Sequence, residues 1–149
     1  MTALAVIGAI AIGAWFRPLP DNKPLPASPG PTFTDQQVSD AKAGVCASYQ
    51  QVHSAVGLNM ARDLGNDPVA QLLVATAARQ ALLAGSEYLI TTLSEEPATP
   101  PDLAAAVRKL ATLFQNYTID YLNGRMNSEI ESSLRVGDET TLVIERLCK

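Results

Sequence analysis

Residues 99–121, TPPDLAAAVRKLATLFQNYTIDY, decide the fold. Leu103, Val107, Leu110, Phe114, Tyr117 and Tyr121 recur by fours and threes without a miss, the spacing that lines up side chains on one stripe of an α-helix. Thr99-Pro100-Pro101-Asp102 opens the segment with a cap, a proline where a missing N–H costs nothing, and an early acid at the positive end of the helix. Asn116-Tyr117-Thr118 fits a glycosylation sequon, but it falls in the middle of this helix and carries no weight. Asn123-Gly124 interrupts the pattern, since glycine inside a helix costs about 1 kcal/mol. Met126, Ile130 and Leu134 then resume at four-residue spacing, so a further helix or a long extension follows. Gly137-Asp138 reads as another break. The tail, residues 139–149, is rich in β-branched Thr140, Thr141, Val143 and Ile144; its periodicity is ambiguous, and helix is the assignment made.

Upstream, Thr34-Asp35-Gln36-Gln37 has the form of a capping box. Val38, Val45, Tyr49, Val52 and Val56 follow it with heptad-like spacing, Ala41 or Lys42 filling the early gap, and the helix is expected to fade near Arg62–Asp63. Leu64-Gly65-Asn66-Asp67 reads as a turn, after which Asp67 caps and Pro68 begins a second helix running to Leu93 or Glu96. That helix is apolar on two sides, one with Leu72, Leu83 and Ile90 and one with Leu82, Leu89 and Leu93, so two neighbours are expected. Short connections make consecutive helices antiparallel. The expectation is an all-α protein whose body, residues 34–149, is an up-down bundle of three to four antiparallel helices.

The N-terminal residues have a different character. Met1–Phe16, MTALAVIGAIAIGAWF, holds no charge and would extend about 24 Å as a helix, slightly short of a hydrocarbon core about 30 Å thick. Trp15, Phe16 and Arg17 resemble a membrane interface belt, rings at headgroup depth and guanidinium in water. A transmembrane anchor over residues 1–16 is the preferred reading. A cleaved signal peptide lacks its basic n-region here, with only Ala9-Ile10-Ala11 as a weak cleavage pattern, and a buried core helix is the other alternative. The shortness of the segment also raises the expectation that the natural chain starts upstream of Met1. Residues 17–33 form a proline-rich linker that favours polyproline II and spans up to about 45 Å; a Pro-x-x-Pro docking peptide at Pro26–Pro29 is the lesser reading.

Cys46 and Cys148 are the two cysteines. An even count behind an export-like N-terminus favours a disulfide over two buried free thiols, and with it an extracytoplasmic body at the cell membrane. Arg17 and Lys23 after the apolar segment vote the other way by the positive-inside rule, weakly.

The 149 residues, 47% hydrophobic, fit one membrane segment and one domain, and a net charge of −4 with 11 basic residues leaves no footprint for nucleic acid. His53, the one histidine, shares a helical face with Cys46 and Tyr49. A metal site needs three or four ligands, so a partly buried, hydrogen-bonded histidine is the expectation, and neither metal nor cofactor is expected. No Gly-x-Ser-x-Gly elbow, phosphate loop, Cys-x-x-Cys or His-Glu-x-x-His occurs. Gly85-Ser86-Glu87 reads as a close packing point. Arg79 and Glu87, odd in so apolar a helix, either snorkel or pair with Arg108, Lys109 or Asp120.

Three stretches carry a likeness: Ala14-Trp15-Phe16-Arg17-Pro18 with the proline-rich linker after it, Thr34-Asp35-Gln36-Gln37-Val38, and Ala78-Arg79-Gln80-Ala81-Leu82-Leu83-Ala84-Gly85-Ser86. With these the chain resembles the small alanine- and proline-rich single-pass membrane proteins of mycobacterial-type actinobacteria. The resemblance spans most of the chain and involves no functional motif; it implies a cell-envelope location and no activity.

A missing catalytic constellation together with an anchor, a spacer and a body points to a non-enzymatic accessory or scaffold subunit docking onto another envelope or membrane protein. The alternative is a carrier or sensor that binds a lipid or other small apolar ligand between the helices, lined by Phe114, Tyr117 and Tyr121, and it requires a pocket of about 300 Å³ or more. A cofactorless hydrolase would need His53 in a cleft beside a serine and an acid.

Overall fold

The capping box is formed: Gln37 N–H donates to Thr34 Oγ1 at 3.2 Å and Thr34 N–H to Gln37 Oε1 at 2.9 Å, starting helix α1 (Asp35–Met60). The computed structural model describes residues 32–62 and 65–149. Met1–Phe16 with Trp15, then Arg17 and the linker up to residue 31, lie outside the described residues, as do residue 63, at the expected end of the first helix, and residue 64 of the expected turn. Helix α2 (Pro68–Glu95) starts as expected, Asp67 Oδ1 accepting the Val69 N–H at 3.0 Å. Helix α3 covers Pro101–Leu122, a 3₁₀ turn Asn127–Glu129, and helix α4 Glu131–Leu147. There is no strand among the described residues, and none of their helices is long and apolar enough to cross a membrane.

Cross-helix contacts fix the topology. On α1 and α2, Gly44 lies by Glu96, Tyr88 donates to Gln51 at 3.5 Å, and Gly85 faces Val52 and Val56, so the two run antiparallel. Arg79 meets Tyr121, and Gly85 meets Phe114, which sets α3 antiparallel to α2. Tyr117 of α3 reaches Ser133 and Gly137 of α4, and Cys148 returns to Cys46. The body is an up-down-up-down four-helix bundle.

The core follows the predicted stripes. Leu103, Val107, Leu110, Phe114 and Tyr117 of α3 are buried and Tyr121 is half-buried; Ala41, Val45, Cys46, Tyr49, Val52 and Val56 of α1 pack with Leu82, Leu89 and Leu93 of α2. Gly85 is the close packing point expected: a Cβ there would come to 2.7 Å from Val52 Cγ1.

Three local expectations are corrected. Thr99 does not cap α3, because its hydroxyl donates to the Glu96 carbonyl at 2.7 Å; Asp102 Oδ1 takes a helix N–H instead, that of Leu103, at 2.8 Å. Gly137 is no break. Helix α4 runs through it, since a residue without Cβ is what fits under the Tyr117 hydroxyl. The break at Gly124 is real, and its φ of +77° lets α3 close with Arg125 N–H on the Asp120 carbonyl and Gly124 N–H on that of Tyr121, the Schellman pattern.

The third correction concerns the sides of α2, whose two expected neighbours, α1 and α3, are both present. Leu82, Leu89 and Leu93 are buried, but the second apolar side is bare: Leu72 is 63% exposed, Leu83 49% and Ile90 39%. Both neighbours, α1 and α3, meet α2 on the side of Leu82 and Gly85.

Candidate functional site

The Cys46–Cys148 disulfide joins α1, three turns from its start, to the C-terminal end of α4, with the Cα atoms 5.7 Å apart and a sequence separation of 102. Helix α4 otherwise lies mainly against α3, and the face it buries is narrow, Gly137, Thr140 and Ile144. Away from the disulfide, a crevice of about 160 Å³ therefore remains between α1, α3 and α4. Its walls are Val56, Met60, Leu82, Phe114, Tyr117 and Leu134, and its rim carries His53, Asp138 and Thr141.

The aromatic stripe is divided by this arrangement. Phe114 and Tyr117, ring centroids 6.5 Å apart, line the crevice, with Tyr117 Oη donating to the Ser133 carbonyl at 2.6 Å. One turn on, Tyr121 faces a separate hollow at the end of the bundle and donates to Asn127 Oδ1 at 2.8 Å.

His53 is not partly buried as expected. Its position on α1 opens onto the α1–α4 gap, so the ring is exposed, and Nδ1 is 3.5 Å from the Tyr49 hydroxyl. The crevice wall and rim hold an acid and a threonine but no serine or cysteine beside His53. Among the described residues, no group of three His, Cys, Asp or Glu is placed to hold a metal ion. Nor does Arg79 pair with Asp120, which is 3.6 Å from Arg125; its guanidinium donates to the Tyr121 carbonyl at 3.2 Å.

Three phenols are held above the ordinary tyrosine range. Burial is the main cause for all of them, helped at Tyr49 by the charge of Glu145 and at Tyr121 by that of Asp120; at Tyr117 the bond to Ser133 opposes it. The unfolded chain gives up these protons near pH 10, whereas the folded chain holds them higher. The stability they contribute is complete below about pH 10 and is lost as pH rises through the folded values. Thermal midpoints are expected to fall above about pH 10, with tyrosinate absorbance of the native protein lagging that of the urea-unfolded chain. Coincident absorbance titrations would contradict this.

Missed by sequence reasoning are the bare side of α2 and the hollow beside Arg79. The first was visible as a pattern, Leu72-Leu83-Ile90, whose lack of a partner within the chain was not. Comparison with protein families, curated proteins and solved structures gives no match.

Proposed function

We propose that the protein is a non-enzymatic accessory or scaffold subunit, anchored at the cell membrane by its N-terminal segment, whose helical bundle docks onto another envelope protein from the extracytoplasmic side. The observation that carries this reading is the uncovered apolar side of α2. Val69, Leu72 and Leu73 are each at least 63% exposed, and Leu83 and Ile90 continue the surface. Large apolar residues left exposed along one side of a folded helix, here interspersed with exposed Thr76, Gln80 and Glu87, mark an interaction site. A disulfide bridging the ends of the body supports an oxidising compartment. The carrier reading has less support, because a crevice of about 160 Å³ falls below the range of about 300 Å³ upward that encloses a lipid-sized ligand.

Gentle detergent extraction of the tagged protein, then size separation and mass spectrometry of proteins and lipids, tests both readings. A discrete assembly with a stoichiometric partner is expected, and Leu72→Glu with Leu83→Glu should release that partner while changing stability by no more than about 1 kcal/mol, as exposed sites do. A lone protein carrying a reproducible lipid would transfer the assignment to the carrier. A lone protein without lipid would sink the docking proposal.

A further inference from the structure

The end of the bundle formed by the α1–α2 and α3–α4 connections contains a hollow of about 180 Å³, walled by Met60, Val74, Ala75 and Ala78, with Asn59, Arg79, Tyr121 and Asn127 as its polar members. Arg79 is the unusual feature. It is half-buried on α2 and no carboxylate lies within ion-pair distance of it among the described residues. One guanidinium nitrogen donates to the Tyr121 carbonyl at 3.2 Å, while Nε is buried and has no hydrogen-bond partner at all. A buried donor left unmade is costly, more so on a cation.

We propose that this hollow is a binding site for a small monocarboxylate, its apolar body against Met60, Val74, Ala75 and Ala78 and its carboxylate on the Arg79 guanidinium. Size and charge select that class. A cavity of about 150 Å³ accepts benzene, so a hollow of about 180 Å³, open to solvent on one side, has room for a benzene-sized body. The guanidinium fork matches a carboxylate. The carbonyl end of α3 already sits on Arg79 through Tyr121, and its partial negative charge disfavours a second negative charge in the site, as on a phosphate. Asn127 adds a donor, because its Oδ1 is occupied by the Tyr121 hydroxyl and its amide NH₂ remains to give.

The test uses the purified chain and three probes titrated calorimetrically to about 10 mM: benzoate, the neutral benzyl alcohol of similar size, and the smaller, more highly charged inorganic phosphate. Saturable benzoate binding is expected, at least about tenfold tighter than either other probe, the factor a charge-assisted hydrogen bond carries. Arg79→Gln should lower benzoate affinity by about tenfold or more and leave benzyl alcohol unchanged. Absence of saturable benzoate binding, or equal affinity for benzoate and benzyl alcohol, overturns the proposal. Undiminished benzoate binding by a folded Arg79→Gln variant overturns it too, and if that variant does not fold, the comparison of probes on the unaltered chain decides.

Discussion

Opening the Cys46–Cys148 bridge, by reduction or by Cys46→Ala with Cys148→Ala, is expected to lower the thermal midpoint of the body by roughly 15–20 °C. The bridge spans 102 residues, nearly the whole bundle. A loop of that length removes about 4–5 kcal/mol of denatured-state chain entropy, against about 5–15 kcal/mol of total stability for a domain of ordinary size. Each kcal/mol is worth about 3–5 °C at this length. The loss should also be uneven. Helix α4 is tied to α1 at the bridge and buries only a narrow face, Gly137, Thr140 and Ile144, so its amides should lose hydrogen-exchange protection first. The α2–α3 pair, joined through Leu82, Leu89, Leu103, Val107 and Leu110, should keep its protection longest. A midpoint shift below about 5 °C, or uniform loss of protection, would show that packing rather than the bridge holds α4 in place.

How far the chain could be understood before folding varied by element, for physical reasons. Helix α3 was legible as a helix because Leu103, Val107, Leu110, Phe114 and Tyr117 fall on one stripe and the stripe is buried, although Ile119 and Leu122 lie exposed off it. Helix α1 was legible at its start, where Thr34 and Gln37 can satisfy each other's backbone only in a capping box. The bridge was legible from the even cysteine count, and an up-down bundle, which returns the end of its last helix toward the start of its first, made a partner three turns into α1 plausible without forcing it. Helix α2 was legible as a helix and not as a surface. Periodicity shows that Leu72, Leu83 and Ile90 share a side, but whether another segment covers that side depends on how many helices the chain supplies, and four leave it bare.

The candidate sites were less legible, because each depends on where neighbouring helices end. Phe114, Tyr117 and Tyr121 are one stripe on α3. The crossing of α4 takes Phe114 and Tyr117 for the crevice, and the Gly124 turn places Tyr121 beside Asn127 in the other hollow. Arg79 illustrates the same limit. As a lone cation in an apolar helix it invites a carboxylate partner, but the nearest acceptor is a carbonyl at the end of α3, which no side-chain pattern announces.

Gly137 offers the sharpest test of the packing, since two opposing effects decide the sign of one substitution. Alanine in place of a helical glycine stabilises by about 1 kcal/mol where there is room. At residue 137 there is none, because a new Cβ would meet the Tyr117 hydroxyl, while the ring carbons stand at 3.4 Å and 3.6 Å, close to ordinary contact. Gly137→Ala must therefore push the phenol aside and break its 2.6 Å bond to the Ser133 carbonyl. Overpacking of about 1–3 kcal/mol plus about 1 kcal/mol for the lost bond outweighs the helical gain, for a net loss of about 2 kcal/mol. Tyr117→Phe removes the obstructing oxygen and by itself costs about 1 kcal/mol. In that background Gly137→Ala is expected to turn stabilising by about 0.5–1 kcal/mol, a coupling of about 2–3 kcal/mol between the two sites. Urea unfolding of the four chains measures it. Additive effects would mean that Gly137 serves something other than the close approach of Tyr117, and that α3 and α4 have room to separate at this level of the bundle.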